Sequence, residues 1–171
     1  MLLFSFIYDK INMVKEMKKK VYIISIICLL IDILSKVFIS SKLSLGASKV
    51  IIKDFFELTL VHNEGAAWGL FNGKVPILLI ISILFVGFFI YMIENNKVSK
   101  YEEISYGLIL GGVIGNLIDR LFRGYVIDFF NFYIFGYDYP VFNIADTFIV
   151  VGILIIIVFS IKELLSKWKK D

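Results

Sequence analysis

At 171 residues the chain has the length of one domain, and a mean hydropathy of +0.86 with 59% hydrophobic residues excludes an ordinary soluble fold and points to the membrane class. A formal charge of +3 gives no case for a nucleic-acid partner. With one cysteine (Cys28) and one histidine (His62), a disulfide framework and a His/Cys zinc centre are both excluded, and Cys28 reads as a small buried hydrophobe.

Residues 1–16, MLLFSFIYDKINMVKE, are too short to span and lack a basic region before the apolar start, so they make a poor signal peptide. Met17 and the lysines after it are a more natural beginning. The expectation is a single domain over 17–171, with 1–16 an upstream start choice or a disordered or interfacial tail. The first spanning run is about 21–39, where about 19 residues at 1.5 Å rise give ~28 Å, near the ~30 Å hydrocarbon core. Asp32 and Lys36 lie within it at i and i+4, on one helix face where they can pair.

Residues 45–63 carry β-branched and aromatic residues in partial alternation, as in Glu57 to His62, which predicts one or two short strands on the membrane surface. The turn-rich segment NEGAAWG follows. The second span is about 75–93, with Pro76 in its first turn, where proline is tolerated. The third is about 104–122 and the fourth about 144–161. The predicted fold is an all-α membrane protein of four transmembrane helices, with a small extracytoplasmic β-sheet and an aromatic interfacial loop over 129–142.

Four spans place both termini on one side. That side carries Lys10, Lys15, Lys18, Lys19, Lys20, Lys97, Lys100 and the tail lysines, against Lys42, Lys49, Lys53, Lys74, Arg120 and Arg123 opposite. The positive-inside rule makes the termini cytoplasmic. The polar segments NEGAAWG, DRLFRGYVIDFF and FNIAD then share the outer end of the bundle.

Gly107, Gly111 and Gly115 recur every four residues, a spacing that lets helix backbones approach closely in lipid. Asn116, Asp119 and Arg120 follow on one side of the same helix, with Arg123 four residues past Asp119. A helix end that snorkels to water accounts for the arginines and leaves Asn116 in need of a partner. The aromatic residues between the third and fourth spans read as an interfacial belt, which does not explain Asp128 among them. Asp146 opens the last span, where helix capping and a chemical role are both open. Two carboxylates in a partly apolar site suggest one that keeps its proton and one that accepts a proton from water, a pairing that cuts a peptide bond without metal or cofactor. There is no HExxH motif, and nothing supports a serine nucleophile for His62. The alternatives are a small transporter or proton-relay subunit, which predicts charge near mid-membrane in several spans, and a scaffold assembled through the glycine face. Only Asp32 and Lys36 approach that depth, and a scaffold gives no reason for two outer aspartates.

Five ordered motifs carry a resemblance: Asp32-Ile33-Leu34-Ser35-Lys36, Asn63-Glu64-Gly65-Ala66-Ala67, Gly111 to Arg120 as GGVIGNLIDR, Val126-Ile127-Asp128-Phe129, and Phe142-Asn143-Ile144-Ala145-Asp146. Over roughly 17–168 the chain resembles the lipoprotein signal peptidases (signal peptidase II), aspartic intramembrane proteases of bacteria. The resemblance implies Asp128 and Asp146 as the catalytic pair. It implies Asn63, Asn116, Asp119, Arg120 and Asn143 as the polar, substrate-binding shell, and Asp32, Lys36, Gly111 and Gly115 as structural. It also implies a multi-pass protein of the bacterial cytoplasmic membrane, monomeric among membrane lipids and needing no cofactor or metal. The implied substrate is a diacylglyceryl-modified prolipoprotein cut before the lipidated cysteine. Trp68, where the family more often has Phe, and the segment 1–16 are the departures.

Overall fold

The computed structural model describes residues 2–66, 70–71 and 73–168, with side chains from residue 16 onward. Met1, Ala67, Trp68 and the lysines of 169–171 lie outside the described residues. Among the described residues, four helices are long and apolar enough to cross a membrane. Helix α1 runs Leu2–Lys42, α2 Val75–Asn95, α3 Lys100–Arg123 and α4 Ile144–Trp168. Their outward faces carry large apolar side chains such as Leu34, Leu84 and Leu154, as lipid-facing helices require.

Three helix boundaries differ from the sequence expectation. The backbone of α1 continues through the segment read as a separate tail, and no Gly or Pro occurs before Gly46 to stop it. Helix α3 begins at Lys100 rather than near 104, because Ser99 and Glu102 form a reciprocal capping box there. It stops at Gly124, which takes the left-handed conformation at φ 79°. Helix α4 runs to Trp168, past the apolar run expected to end near 161, with Lys167 and Glu163 paired on its final turns.

The predicted sheet is present and larger than expected. Strands β1 (Ser48–Ile52), β2 (Phe56–Asn63), β3 (Val126–Ile134) and β4 (Tyr137–Asp138) form one antiparallel sheet in sequence order. The segment read as an aromatic interfacial loop is therefore largely strand: Val126–Ile134 pairs with β2, placing Asp128 beside Val61. Near-continuous aromatic residues hide the period-two signal, since both faces of β3 are apolar. Ile127 and Phe129 pack with Leu60 and with Ile39 of α1. On the other face Phe130 and Phe132 meet Phe56 and Phe142, with Phe56 and Phe132 stacked at 4.5 Å.

Helix α3 is the hub, packed between α1 and α4 and against α2. Its glycines make this possible on two faces. A Cβ at Gly107 would fall 2.6 Å from Ile24, and one at Gly111 would fall 2.6 Å from the Ser25 carbonyl of α1. A Cβ at Gly115 would meet the Asp32 carboxylate, while one at Gly112 would meet the Ala145 carbonyl of α4. Gly107, Gly111 and Gly115 thus lie against α1, and Gly112 adds a second face toward α4. Cys28 is buried in this contact, as expected.

Candidate active site

Asp128 and Asp146 arrive from different elements at one amide. Asp128 stands on β3 and is 1% exposed. Both backbone groups of the residue just before it are held: Ile127 N donates to Asp119 Oδ2 at 3.2 Å, and Ile127 O accepts from Asn143 Nδ2 at 3.3 Å. Its carboxylate accepts from Asn63 Nδ2 and Asn143 Nδ2, both at 2.7 Å. Asn63 is held in turn, because its Oδ1 accepts from Gly65 N at 2.9 Å.

Asp146 occupies the first turn of α4. Asn143 Oδ1 accepts from Asp146 N at 2.9 Å and Asp146 Oδ2 accepts from Asn143 N at 3.1 Å, a reciprocal cap of the helix start. The capping question left open by the sequence is thus answered: Asp146 caps with one oxygen. Its other oxygen, Oδ1, accepts from Asn116 Nδ2 at 2.8 Å. Both carboxylates line one cavity of about 700 Å³.

The remaining shell converges on this pair. Lys36 Nζ reaches Asp32 Oδ2 at 2.7 Å, Asp119 Oδ2 at 3.0 Å and Asn116 Oδ1 at 3.0 Å. Asp32 does more than pack, since its Oδ1 accepts from Ala145 N at 3.1 Å and so satisfies an otherwise orphaned donor at the start of α4. Asp119 also holds Arg123 Nε at 3.0 Å, the i,i+4 pair read from sequence. Arg120 donates to Gly65 O at 3.3 Å, while its buried Nε has no partner among the described residues. It lines the same cavity as the two aspartates.

Burial, and next the charge of Asp146, push the Asp128 carboxyl from 3.8 up to about 7, against the opposing donors Asn63 and Asn143. A carboxyl in this range exists in both protonation states near neutrality. It can hold or release a proton at working pH.

The structure brings every sequence-selected polar residue into one cluster: Asn63, Asn116, Asp119, Arg120, Asp128, Asn143 and Asp146, with Asp32 and Lys36 beneath. Sequence reasoning missed the apolar part of the cavity, formed by Ile81 and Phe85 of α2 and by Val150 and Ile153 of α4. No local signal distinguishes these residues from other lipid-facing ones. It also missed the Asn143–Asp146 cap, although Asn three residues before an acidic residue at the start of an apolar run is the signature to look for.

A four-span bundle with two aspartates lining one cavity defines the class of a multi-pass membrane protein with an acidic site among its helices and sheet. The family model described as signal peptidase (SPase) II matches residues 24–162, and the chain belongs to that family of aspartic-type peptidases, which remove signal peptides from bacterial lipoproteins. Two solved structures, each described as a bacterial membrane enzyme determined by the in meso method, are similar to it. The one at 2.3 Å resolution is 33% identical with a TM-score of 0.79, covering 86% of this chain and 90% of that chain. The one at 1.9 Å is 33% identical with a TM-score of 0.75, covering 83% and 92%. Membership of a peptidase family sets aside the transporter and scaffold alternatives.

Proposed function

We propose that Asp128 and Asp146 are the catalytic pair and that the substrate is a diacylglyceryl-modified prolipoprotein, cut just before the lipidated cysteine. The observation that carries this reading is that one residue, Asn143, donates to both carboxylates, 2.7 Å to Asp128 and 3.1 Å to Asp146. Two carboxylates so linked in a largely apolar cavity cannot both ionise cheaply, so the pair keeps one proton. The ionised member takes a proton from water as the neutral member protonates the peptide carbonyl. Asn63, Asn116 and Asn143 aim the carboxylates, and Asp119 holds β3 in place. Arg120 lines the cavity beside both aspartates, where its guanidinium is suited to a substrate carbonyl. The apolar wall of Ile81, Phe85, Val150 and Ile153 suits the hydrophobic segment of a signal peptide.

The lysine distribution favours cytoplasmic termini, which turns the cavity mouth toward the outer leaflet, where the lipid tails of the substrate lie. The working unit in this reading is a monomer over 17–171, bedded in membrane lipid, and the family match over 24–162 lies within it. The decisive experiment replaces Asp128→Asn and Asp146→Asn separately and follows processing of a lipidated precursor. Each folded variant is expected to lose turnover. Near-normal cleavage by either one removes it from the pair.

A further inference from the structure

Lys36 is 2% exposed, one of the largest side chains buried to that degree among the described residues, and it lies beneath the carboxylate pair rather than in it. An ammonium has three protons and no lone pair, so all three contacts of Nζ must be acceptors. Two are the carboxylates of Asp32 and Asp119. The third is Asn116 Oδ1 at 3.0 Å. Because Lys36 can only donate, it settles which end of the Asn116 amide faces it. Asn116 Oδ1 also accepts from Asn143 Nδ2 at 3.0 Å, so the whole oxygen side of the amide is engaged. Its N–H is left pointing the other way, to Asp146 Oδ1 at 2.8 Å.

Structural ion pairing alone does not require this third contact. Asp32 has a second donor in Ala145 N, and Asp119 has two more in Arg123 Nε and Ile127 N. The two members of the pair differ in what reaches them. Asp146 receives an amide proton polarised by a buried cation, and it lies at the N-terminal end of α4, where the helix dipole favours negative charge. Asp128 stands on a strand and accepts from two neutral amides, Asn63 and Asn143. The charged groups facing the site from each element are Lys36 and Asp32 of α1, Asp119, Arg120 and Arg123 of α3, Asp128 of β3 and Asp146 of α4. Among the described residues three cations meet four carboxylates, which balance when the pair holds a single proton.

We propose that Lys36 is a positioning residue for the reaction: by claiming the oxygen of Asn116 it turns that amide toward Asp146 and holds Asp146 as the ionised, proton-accepting member, leaving the proton on Asp128. This rests on the reading of the two aspartates as the catalytic pair. Water then gives its proton to Asp146 and its hydroxyl to the carbonyl carbon, while the carbonyl oxygen takes the proton of Asp128. Collapse of the gem-diol breaks the C–N bond. The amine leaves with the proton from Asp146, and Asp128 recovers its own.

The test is the pH dependence of kcat and KM for the full chain in detergent, cleaving a synthetic diacylglyceryl lipopeptide. Lys36→Met combined with Asp32→Asn removes the cation without stranding a charge, since Asp119 keeps Arg123. Asn116→Leu cuts the same relay while keeping Lys36 and its ion pairs. Both are expected to move the acidic limb of the profile to higher pH by about one unit and to lower kcat by about a hundredfold, with KM little changed. Asp32→Asn alone, which leaves the Lys36–Asn116 contact, is expected to keep the acidic limb where it is. A folded relay variant whose acidic limb stays at the wild-type position overturns the role of Lys36. Failure here is distinct from failure of the catalytic pair: that reading falls only if Asp128→Asn or Asp146→Asn still turns over.

Discussion

Asn143 holds Asp128 from α4's entry: its side-chain amide lies 2.7 Å from Asp128 Oδ1, and the same amide oxygen accepts the backbone N–H of Asp146. A single planar group thus sets the distance between β3 and the start of α4. Asn143→Ala removes these contacts together and leaves the Ile127 carbonyl without its side-chain donor. The expected result is a fall of about a hundredfold or more in kcat/KM, the scale of a small misplacement of reacting groups. A lipopeptide cleavage assay beside a thermal melt checks it. A fully active Asn143→Ala would mean the two carboxylates find their positions without the amide.

The raised Asp128 carboxyl predicts the alkaline behaviour of the enzyme. Its folded value, about 7, lies above its ordinary 3.8, so the native state binds this proton more tightly than the unfolded chain does. The stability this contributes is complete below 3.8 and is lost as pH rises through about 7. With Asp128 as the proposed acid member of the pair, turnover is expected to fall along an alkaline limb in the same region as that proton is lost. Thermal stability should decline across the window, and less so in Asp128→Asn. A wild-type rate that stays flat from about pH 6 to about pH 9 would show that no group with this value takes part.

Glycines on α3 predict a contrast with one on α2. Gly112→Ala drives a Cβ into the Ala145 carbonyl, and Gly115→Ala drives one into the Asp32 carboxylate. Neither neighbour can yield without moving the start of α4 or the Lys36 pair, so a loss of about 1–3 kcal/mol is expected, with reduced turnover. Among the described residues, nothing lies within 4 Å of the same position at Gly87 of α2. Gly87→Ala should leave activity intact and stabilise by about 0.5–1 kcal/mol through helix propensity. Melting temperatures of the three purified variants separate these outcomes.

Much of the architecture is set by local chemistry that a sequence displays. Long apolar runs have no stable alternative to helices in lipid, so the four spans and the proline in the first turn of α2 were readable from residue order. Glycines at four-residue spacing announced close packing, and Asp128, Asp146 and their polar neighbours stood out because polar groups at a bilayer edge need partners. Helix ends were read less well at α3, where the Ser99–Glu102 cap extends the helix past its apolar part.

Tertiary structure decided what those residues do to one another. A strand that is apolar on both faces has no alternation to read, so β3 and the orientation of Asp128 emerge only when β2 pairs with it. The Ala145 N–H that finds Asp32, 113 residues earlier in the chain, could not be assigned from either segment alone. Lys36 is the sharpest case: its i,i+4 partner was visible in the sequence, while its contacts with Asn116 and Asp119 exist only because the glycines of α3 let two helices touch. Residue order determined which groups had to be buried with partners. Only packing determined which partners, because a hydrogen bond is a condition on distance and direction between atoms that the chain brings together from afar.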